Sequence, residues 1–297
     1  GWHCGSVYGV LSGVAGAGKV RRLDVDQFED AIGTAATQAC GLMSAQFEAM
    51  VKRMHSGMAA RSGVLAAALA GAGFTGIKRV LERDFGGFVG TFCGVDPFDL
   101  SRLTNGLGKQ WEVMRIAVKP AYSAMAGTHS AIEGAVKLRA LPGFSVDRVK
   151  EIRIGTTEAM LHHGGFKLER PATAIGAQMN HCYVVAVTLI DGSPSVPQFS
   201  PDRINSDDVW KLLGRISAYQ DRAIDSRGEE GRWGTRLIAT FIDGRLEEIE
   251  VKFPKGGPKY PLSNEEIVRK YDRLAALVMK PGHAAALKDM VLGLESV

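Results

Sequence analysis

The first twenty residues, GWHCGSVYGVLSGVAGAGKV (residues 1–20), pose a choice between two folds. Residues 13–19 fit G-x-x-x-x-G-K, the outline of a phosphate-binding loop. Such a loop needs a buried strand ahead of it, a Ser or Thr after the lysine to hold Mg²⁺, and a helix start aimed at phosphate. Val20 follows Lys19, and a branched hydrocarbon ligates no metal. The preceding WHCGSVYGVLS is too rich in Gly and Ser for a central strand. In the other reading, Gly5, Gly9 and Gly13 recur at every fourth position, with Gly16 three further on, and on a helix they share one face. Glycine costs about 1 kcal/mol relative to alanine within a helix, so a row of them needs a packing reason. Small residues let a second backbone approach closely. We read residues 4–20 as a buried helix in a helical core, and the fold as mainly α.

The remaining composition is that of a globular protein: 297 residues, 45% hydrophobic and 23% charged. The length suits one large or two modest domains. A net charge of +4 is spread thinly, with no Lys/Arg run to serve as a nucleic-acid footprint, so no nucleic-acid partner is expected. No stretch approaches the 18 or so apolar residues of a membrane span, and the opening residues do not read as a signal peptide. Cys4, Cys40, Cys93 and Cys182 show no paired spacing and read as reduced thiols. The expected location is the cytoplasm.

Texture changes near residue 110. Before it, Gly and Ala crowd helical patterns. Asp24 caps one helix, with Gln27 completing a capping box; KRMHSGMAARSGVLAAALAGAGF is a second, ending near Gly71 or Gly73. TGIKRVLER reads as a short helix capped by Thr75, and residues 86–110 as irregular. After it, β signals appear: VMRIAVK (113–119) and VKEIRIGT (149–156) read as strands. RLIATFIDGRLEEIEVKF reads as a hairpin turning at Asp243-Gly244. HSAIEGAVKLRAL reads as a helix, TAIGAQMNHCYVVAVTLIDG as one buried helix, and SDDVWKLLGRI as an amphipathic helix capped by Ser206. LSNEEIVRKYDRLAALV opens with a capping box, Ser263 to Glu266, and a last helix starts near 282. The expected organisation is a helical domain over 1–110, a smaller α+β domain over 111–256, and C-terminal helices over 257–297 that return to the helical domain. The α+β unit is then an insertion.

Several of these segments resemble the MmgE/PrpD family: GWHCGSVYG, QACGLMSAQFEAMVKRMHSGMAARSGVLAAALA, ERPATAIGAQMNHCYVVAVTLIDG and GGPKYPLSNEEIVRKY. The likeness runs in order along the whole chain. GWHCG and TQACGLMSAQ are most similar to the fungal cis-aconitate decarboxylase branch. The resemblance implies a large all-helical domain plus a smaller α+β domain, a homodimer, and a tricarboxylate substrate. It also implies chemistry that needs no metal or organic cofactor. In the family a long helical segment precedes GWHCG, so the resemblance implies that the N-terminal part of the helical domain is absent here. Activity is then in question.

By motif, four positions carry over. His3 in GWHCG stands at the family's pocket histidine near a helix start, where the dipole favours bound carboxylate. Lys52 in MVKRMHSG stands at a pocket lysine suited to pairing a carboxylate. His129 in GTHSAIEG stands at the second-domain histidine of the decarboxylases, and Tyr183 in NHCYVVAV at a tyrosine of the pocket edge. His3 or His129 is expected to deliver a proton, Lys52 to anchor and Tyr183 to orient. His55, three residues from Lys52, shares its helical face and lines or flanks the same pocket. Without the resemblance each has an ordinary reading: a solvated terminal imidazole, an exposed charged face, a helix-start residue and a core tyrosine. His162-His163 lacks the third ligand that zinc requires. Adjacent His3 and Cys4 cannot easily form a nucleophilic pair. The resulting functional expectation is a cofactor-free decarboxylase of cis-aconitate or an alkylated relative, giving an itaconate-type product, in primary or secondary metabolism. The alternatives are a 2-methylcitrate or alkylcitrate dehydratase and a non-catalytic homologue.

Overall fold

In a computed structural model, which describes residues 1–94, 98–120 and 122–296, the chain divides into two units, Gly1–Trp111 and Glu112–Val297. The first is helical: α1 (Cys4–Val7), α2 (Gly9–Arg21), α3 (Val25–Ala36), α4 (Val51–Gly71) and α5 (Phe88–Cys93). The expected helix over 4–20 is therefore two. The chain turns at Tyr8, whose backbone N–H still bonds to the Cys4 carbonyl. The glycine row divides its labour. A Cβ on Gly9 would meet the Ala59 Cβ at 2.9 Å, and one on Gly13 would meet the Ala60 Cα at 3.2 Å. From the other side, a Cβ on Gly63 would lie 2.4 Å from the Gly13 carbonyl carbon. These three residues let α2 and α4 touch backbone to backbone. Gly5 instead faces the His3 ring, and Gly16 faces open space. Val10, Val14, Ala31, Ala35, Ala59, Ala66, Ala67 and Ala70 fill the core among α2, α3 and α4.

The Asp24–Gln27 capping box starts α3. Residues 75–83 are turns rather than the expected helix. Their backbone donors are claimed by α3: Gly76 N–H donates to Asp30 Oδ1 at 3.0 Å and Arg79 N–H to Glu29 Oε1 at 3.0 Å, with Arg79 left-handed at φ +53°. Tertiary hydrogen bonds thus override a weak local helix preference. Within the expected irregular stretch, Phe88 and Phe92 sit one turn apart in α5, rings 4.8 Å from each other, and join Val7, Ala36 and Val80 in a second cluster.

The second unit holds α6 (His129–Arg139), β1 (Val149–Thr156), α7 (Glu158–Gly164), α8 (Ala174–Met179), α9 (His181–Asp191), α10 (Pro201–Ile204), α11 (Asp207–Leu213), β2 (Ile216–Gln220), α12 (Arg222–Asp225), β3 (Thr235–Phe241), β4 (Leu246–Val251), α13 (Asn264–Ala275) and α14 (Pro281–Leu292). Its sheet runs β2-β1-β3-β4. β1 pairs parallel with β2 in the register Ile152–Ile216 and antiparallel with β3; β3 and β4 form the expected hairpin, with Gly244 at φ +82°. Ile132 and Leu138 of α6, Val184 and Leu189 of α9, and Ile152, Ile154, Leu237 and Phe241 of the sheet share one core.

Three sequence expectations give way here. Residues 113–119 are not a strand: a 3-10 turn spans Glu112–Arg115, and the segment's Val118 N–H bonds to the Gly256 carbonyl instead of to the sheet. The helix from Asp207 stops at Leu213, and ISAYQ becomes β2, an edge strand too short to advertise its alternation. The helix over 174–191 breaks at Asn180, an extended residue whose side-chain oxygen accepts the Tyr183 N–H at 2.9 Å. The C-terminal helices are tied to neighbours in the second unit. Lys255 pairs with Glu266 of α13, Lys270 Nζ donates to the Lys119 carbonyl at 2.8 Å, and Tyr271 Oη donates to Ala284 of α14 at 2.8 Å. Among the described residues no helix is long and apolar enough to cross a membrane.

Two expected outcomes test this packing. Gly63→Ala pushes a methyl into the α2 backbone and should destabilise the first unit by about 1–3 kcal/mol, whereas Gly16→Ala should stabilise it by a few tenths to about 1 kcal/mol. Urea unfolding of the two variants should move in opposite directions; equal shifts would contradict the seam. His181 is fully buried, its Nε2 3.2 Å from the Met160 carbonyl and its Nδ1 without a partner among the described residues. Burial pushes its pKa from 6.5 to about 4. The unfolded chain therefore binds a proton that the folded chain refuses. Stability is complete above pH 6.5 and falls as pH drops toward 4, by about 3 kcal/mol from this residue. His181→Gln, which keeps a donor toward Met160, should flatten that acid slope in urea midpoints measured from pH 7 to 4.

Candidate functional site

In the first unit the chain start is tied down before it reaches α1. Trp2 bridges to Leu42, the His3 N–H donates to the Gly41 carbonyl at 2.9 Å, and Met43 N–H donates to Gly1 at 3.1 Å. The Trp2 ring stands edge-on to Tyr8 and Phe92, at 5.5 and 5.6 Å. His3 is the N-cap of α1, its carbonyl accepting the Ser6 and Val7 N–H groups. Its ring is thereby aimed at α4. There it meets His55, with ring centroids 5.2 Å apart. Gly41 fits beneath Ser6 and beside His55: at φ +129°, a Cβ would lie 2.4 Å from Ser6 Oγ and 3.5 Å from His55 Cε1. Ser6 Oγ in turn donates to the Cys40 carbonyl, closing the floor.

Lys52 stands one turn before His55 on α4, half-buried. Burial, with help from neighbouring Arg53, holds its ammonium below the ordinary lysine range. His3 is held below the ordinary imidazole range by burial, then by the Lys52 charge and by His55. His3 is thus mostly neutral at pH 7. The Nδ1 atoms of His3 and His55 are buried and have no hydrogen-bond partner among the described residues. Lys52 has no carboxylate partner among them either. A cation and two imidazoles gathered in partly desolvated space, with unsatisfied nitrogens, suit an anionic oxygen ligand. Such a ligand would also return the imidazole pKa upward and make it an acid.

His129 lies in the second unit, at the start of α6. It is 2% exposed, with Nε2 3.4 Å from the Ala124 carbonyl and its ring edge-on to Tyr122 at 5.4 Å. Burial, then the Lys119 charge, brings its pKa down to about 4. It borders a cavity of about 570 Å³ whose walls include Lys119, Trp233, Phe253, Lys255 and Tyr260. The motif reading named none of these wall residues, although the segment GGPKYPLSNEEIVRKY contains Tyr260. A further sequence signal was the Pro/Gly-rich link at 254–258, where Gly256, at φ +94°, leaves no room for a Cβ, which would sit 2.0 Å from the Val118 carbonyl oxygen. Tyr183 does not border that cavity. It is fully buried in the core against Phe199, and its hydroxyl donates to the Gln198 carbonyl. An apolar helix face leaves a phenol nowhere to go but inward, where a backbone carbonyl satisfies it.

His162 and His163 lie together in α7. Among the described residues, no group of three or more His, Cys, Asp or Glu side chains could hold a metal ion.

Comparison with known proteins follows this division. Residues 1–101 match the model of the MmgE/PrpD N-terminal domain, and residues 122–296 that of the MmgE/PrpD C-terminal domain. The chain is 37% identical to the cis-aconitate decarboxylase-like protein oryM of Aspergillus oryzae, over 100% of this chain and 63% of that protein. It is 36% identical to a cis-aconitate decarboxylase of Aspergillus terreus over 99% of this chain and 62% of the relative, and 28% identical to that of Mus musculus over 100% and 60%. It spans about three fifths of the length of these relatives. With both domain models matched in order and covering most of its residues, the chain belongs to the MmgE/PrpD family.

Proposed function

We propose that this chain is a carboxy-lyase acting on cis-aconitate or an alkylated relative, and that it yields an itaconate-type product. The carrying observation is the meeting of His3, His55 and Lys52, with two imidazole nitrogens left unpartnered among the described residues. The names of the similar proteins support the substrate class. In this reading Lys52 pairs with a carboxylate that stays on the substrate, in surroundings dry enough to strengthen the pair. His55 donates to the same anion. The bound negative charge raises the His3 pKa, so His3 takes a proton as substrate binds. The carbon–carbon bond to one carboxylate then breaks, CO₂ leaves, and the electron pair remains on carbon. The His3 imidazolium delivers its proton there and returns to the neutral form that burial favours. Of the two histidines expected to deliver a proton, this scheme uses His3; His129, with its low pKa, is neutral through this range and borders the second unit's own cavity. No cofactor enters this scheme.

Supplying cis-aconitate and 2-methylcitrate separately tests the reading. Release of CO₂ from cis-aconitate is the expected result. Alkene absorbance from 2-methylcitrate without gas would instead indicate a dehydratase. A tricarboxylate-induced rise in melting temperature without turnover would indicate a binding homologue. Lys52→Met should weaken tricarboxylate binding by about ten- to a hundredfold, since a half-buried carboxylate loses its counter-charge. Unchanged affinity would remove Lys52 from the site.

A further inference from the structure

The cavity of about 570 Å³ in the second unit has no role in the scheme above. Its size suits a small molecule, whose sites run to about 300–1,000 Å³. Part of its wall is aromatic, formed by Trp233, Phe253 and Tyr260, none of them fully buried. Each ring already has a cation of the chain over it. The Arg232 guanidinium lies 5.3 Å from the Trp233 centroid, Lys259 Nζ 4.3 Å from that of Phe253, and Lys255 Nζ 5.1 Å from that of Tyr260. A cationic guest would meet these charges, so the rings are not a cage for ammonium. Their remaining apolar surface suits a hydrocarbon. Another part of the wall is basic. Lys119 Nζ donates to the Ala124 carbonyl at 3.2 Å, and His129 Nε2 lies 3.4 Å from the same oxygen. The two side chains thus converge on one point. A further cation is fixed beside them, since Lys270 Nζ donates to the Lys119 carbonyl at 2.8 Å. His129 also opens the eleven-residue α6, whose dipole favours negative charge at that end. After burial, the larger cause, the charges that hold the His129 pKa down are Lys119 and Lys270. The acids of the region are engaged by other groups. Glu133 accepts the Lys255 backbone N–H, Glu266 pairs with the Lys255 ammonium, Glu230 stands 3.9 Å from Lys259 Nζ and Glu229 3.5 Å from Arg232.

We propose that this cavity binds a carboxylate carrying an apolar chain, with the head at Lys119 and His129 and the chain along Trp233, Phe253 and Tyr260. Burial of the chain supplies the affinity. The cations at the head select the sign of the guest's charge, and the imidazole adds a hydrogen bond to it. All the wall residues belong to the second unit. The site therefore stands or falls separately from the His3, His55 and Lys52 cluster and from the carboxy-lyase reading.

The test adds octanoate, octylamine and acetate in turn to the isotopically labelled chain, each below its micellar concentration. The Trp233 indole and His129 imidazole resonances report binding. Octanoate should shift both and saturate. Octylamine, with the same chain and the opposite charge, should bind at least about tenfold more weakly. Acetate, which has the head without the chain, should bind at least about a hundredfold more weakly than octanoate. From butanoate to octanoate, each added methylene should tighten binding by about two- to fourfold. Lys119→Met should erase the preference for octanoate over octylamine, and Phe253→Ala should flatten the dependence on chain length. Equal affinity for octanoate and octylamine in the unaltered chain, or octanoate binding no tighter than acetate, overturns the proposal. Neither comparison needs a variant to fold. Selective octanoate binding with no CO₂ release from cis-aconitate would leave this site standing and the carboxy-lyase reading fallen. CO₂ release without selective octanoate binding would do the reverse.

Discussion

Backbone must touch backbone where α2 crosses α4. At Gly63 a Cβ would sit 2.4 Å from both the Gly13 carbonyl carbon and the Val14 nitrogen, closer than any side chain can be accommodated without displacing one helix. The surrounding core is alanine and valine, which offer little apolar area each. Cohesion there comes from many close atomic contacts, and those exist only while the helices stay in contact. The same seam sets the site. His3 lies one short turn ahead of α2 and Lys52 opens α4, so the approach of the helices carries the imidazole to the ammonium. Gly41 is the third part of this arrangement, because only a residue without Cβ passes beneath Ser6 and beside His55.

The second unit is built on the opposite principle. Large side chains from α6, α9 and the sheet fill one core, and polar groups inside it are answered by backbone carbonyls: Tyr183 by Gln198, His181 by Met160. A buried imidazole or phenol with such a partner is structural. His3 and His55 differ because their unpartnered Nδ1 atoms stand beside a second imidazole and a half-buried ammonium, whereas the unpartnered Nδ1 of His181 belongs to a fully buried ring whose Nε2 meets the Met160 carbonyl. This contrast separates candidate chemistry from packing within one chain. It also explains why two histidines of similar low pKa, His129 and His181, carry different readings: the first borders a cavity and the second lies in the interior.

Local signals in the sequence carried most of the fold. The capping boxes at Asp24 and Ser263, the Asp243-Gly244 turn and the alternation of 149–156 each depend on neighbours in the chain, and each stands where it was read. What was misread depends on distant partners. Residues 75–83 lost their helix to carboxylates some fifty positions earlier, and ISAYQ became a strand because β1 offered an edge. The site was legible in part. Glycine spacing announced a close helix contact, and the shared face of Lys52 and His55 followed from their three-residue separation. That His3 would reach that face, and that Gly41 would floor it, required the bridge between Trp2 and Leu42, which no pattern within either segment reveals. Tyr183 was placed at the pocket by resemblance and in the core by the structure.

The central claim is that His3, His55 and Lys52 receive the carboxylates of one anionic guest. Imidazole NMR of the isotopically labelled chain tests it most directly, with resonances followed against pH in the presence and absence of a saturated tricarboxylate. The account expects the His3 pKa, held below the ordinary imidazole range when free, to rise on binding, with His55 resonances moving in the same titration. Binding that leaves both imidazoles unmoved, or no binding at all, would contradict it.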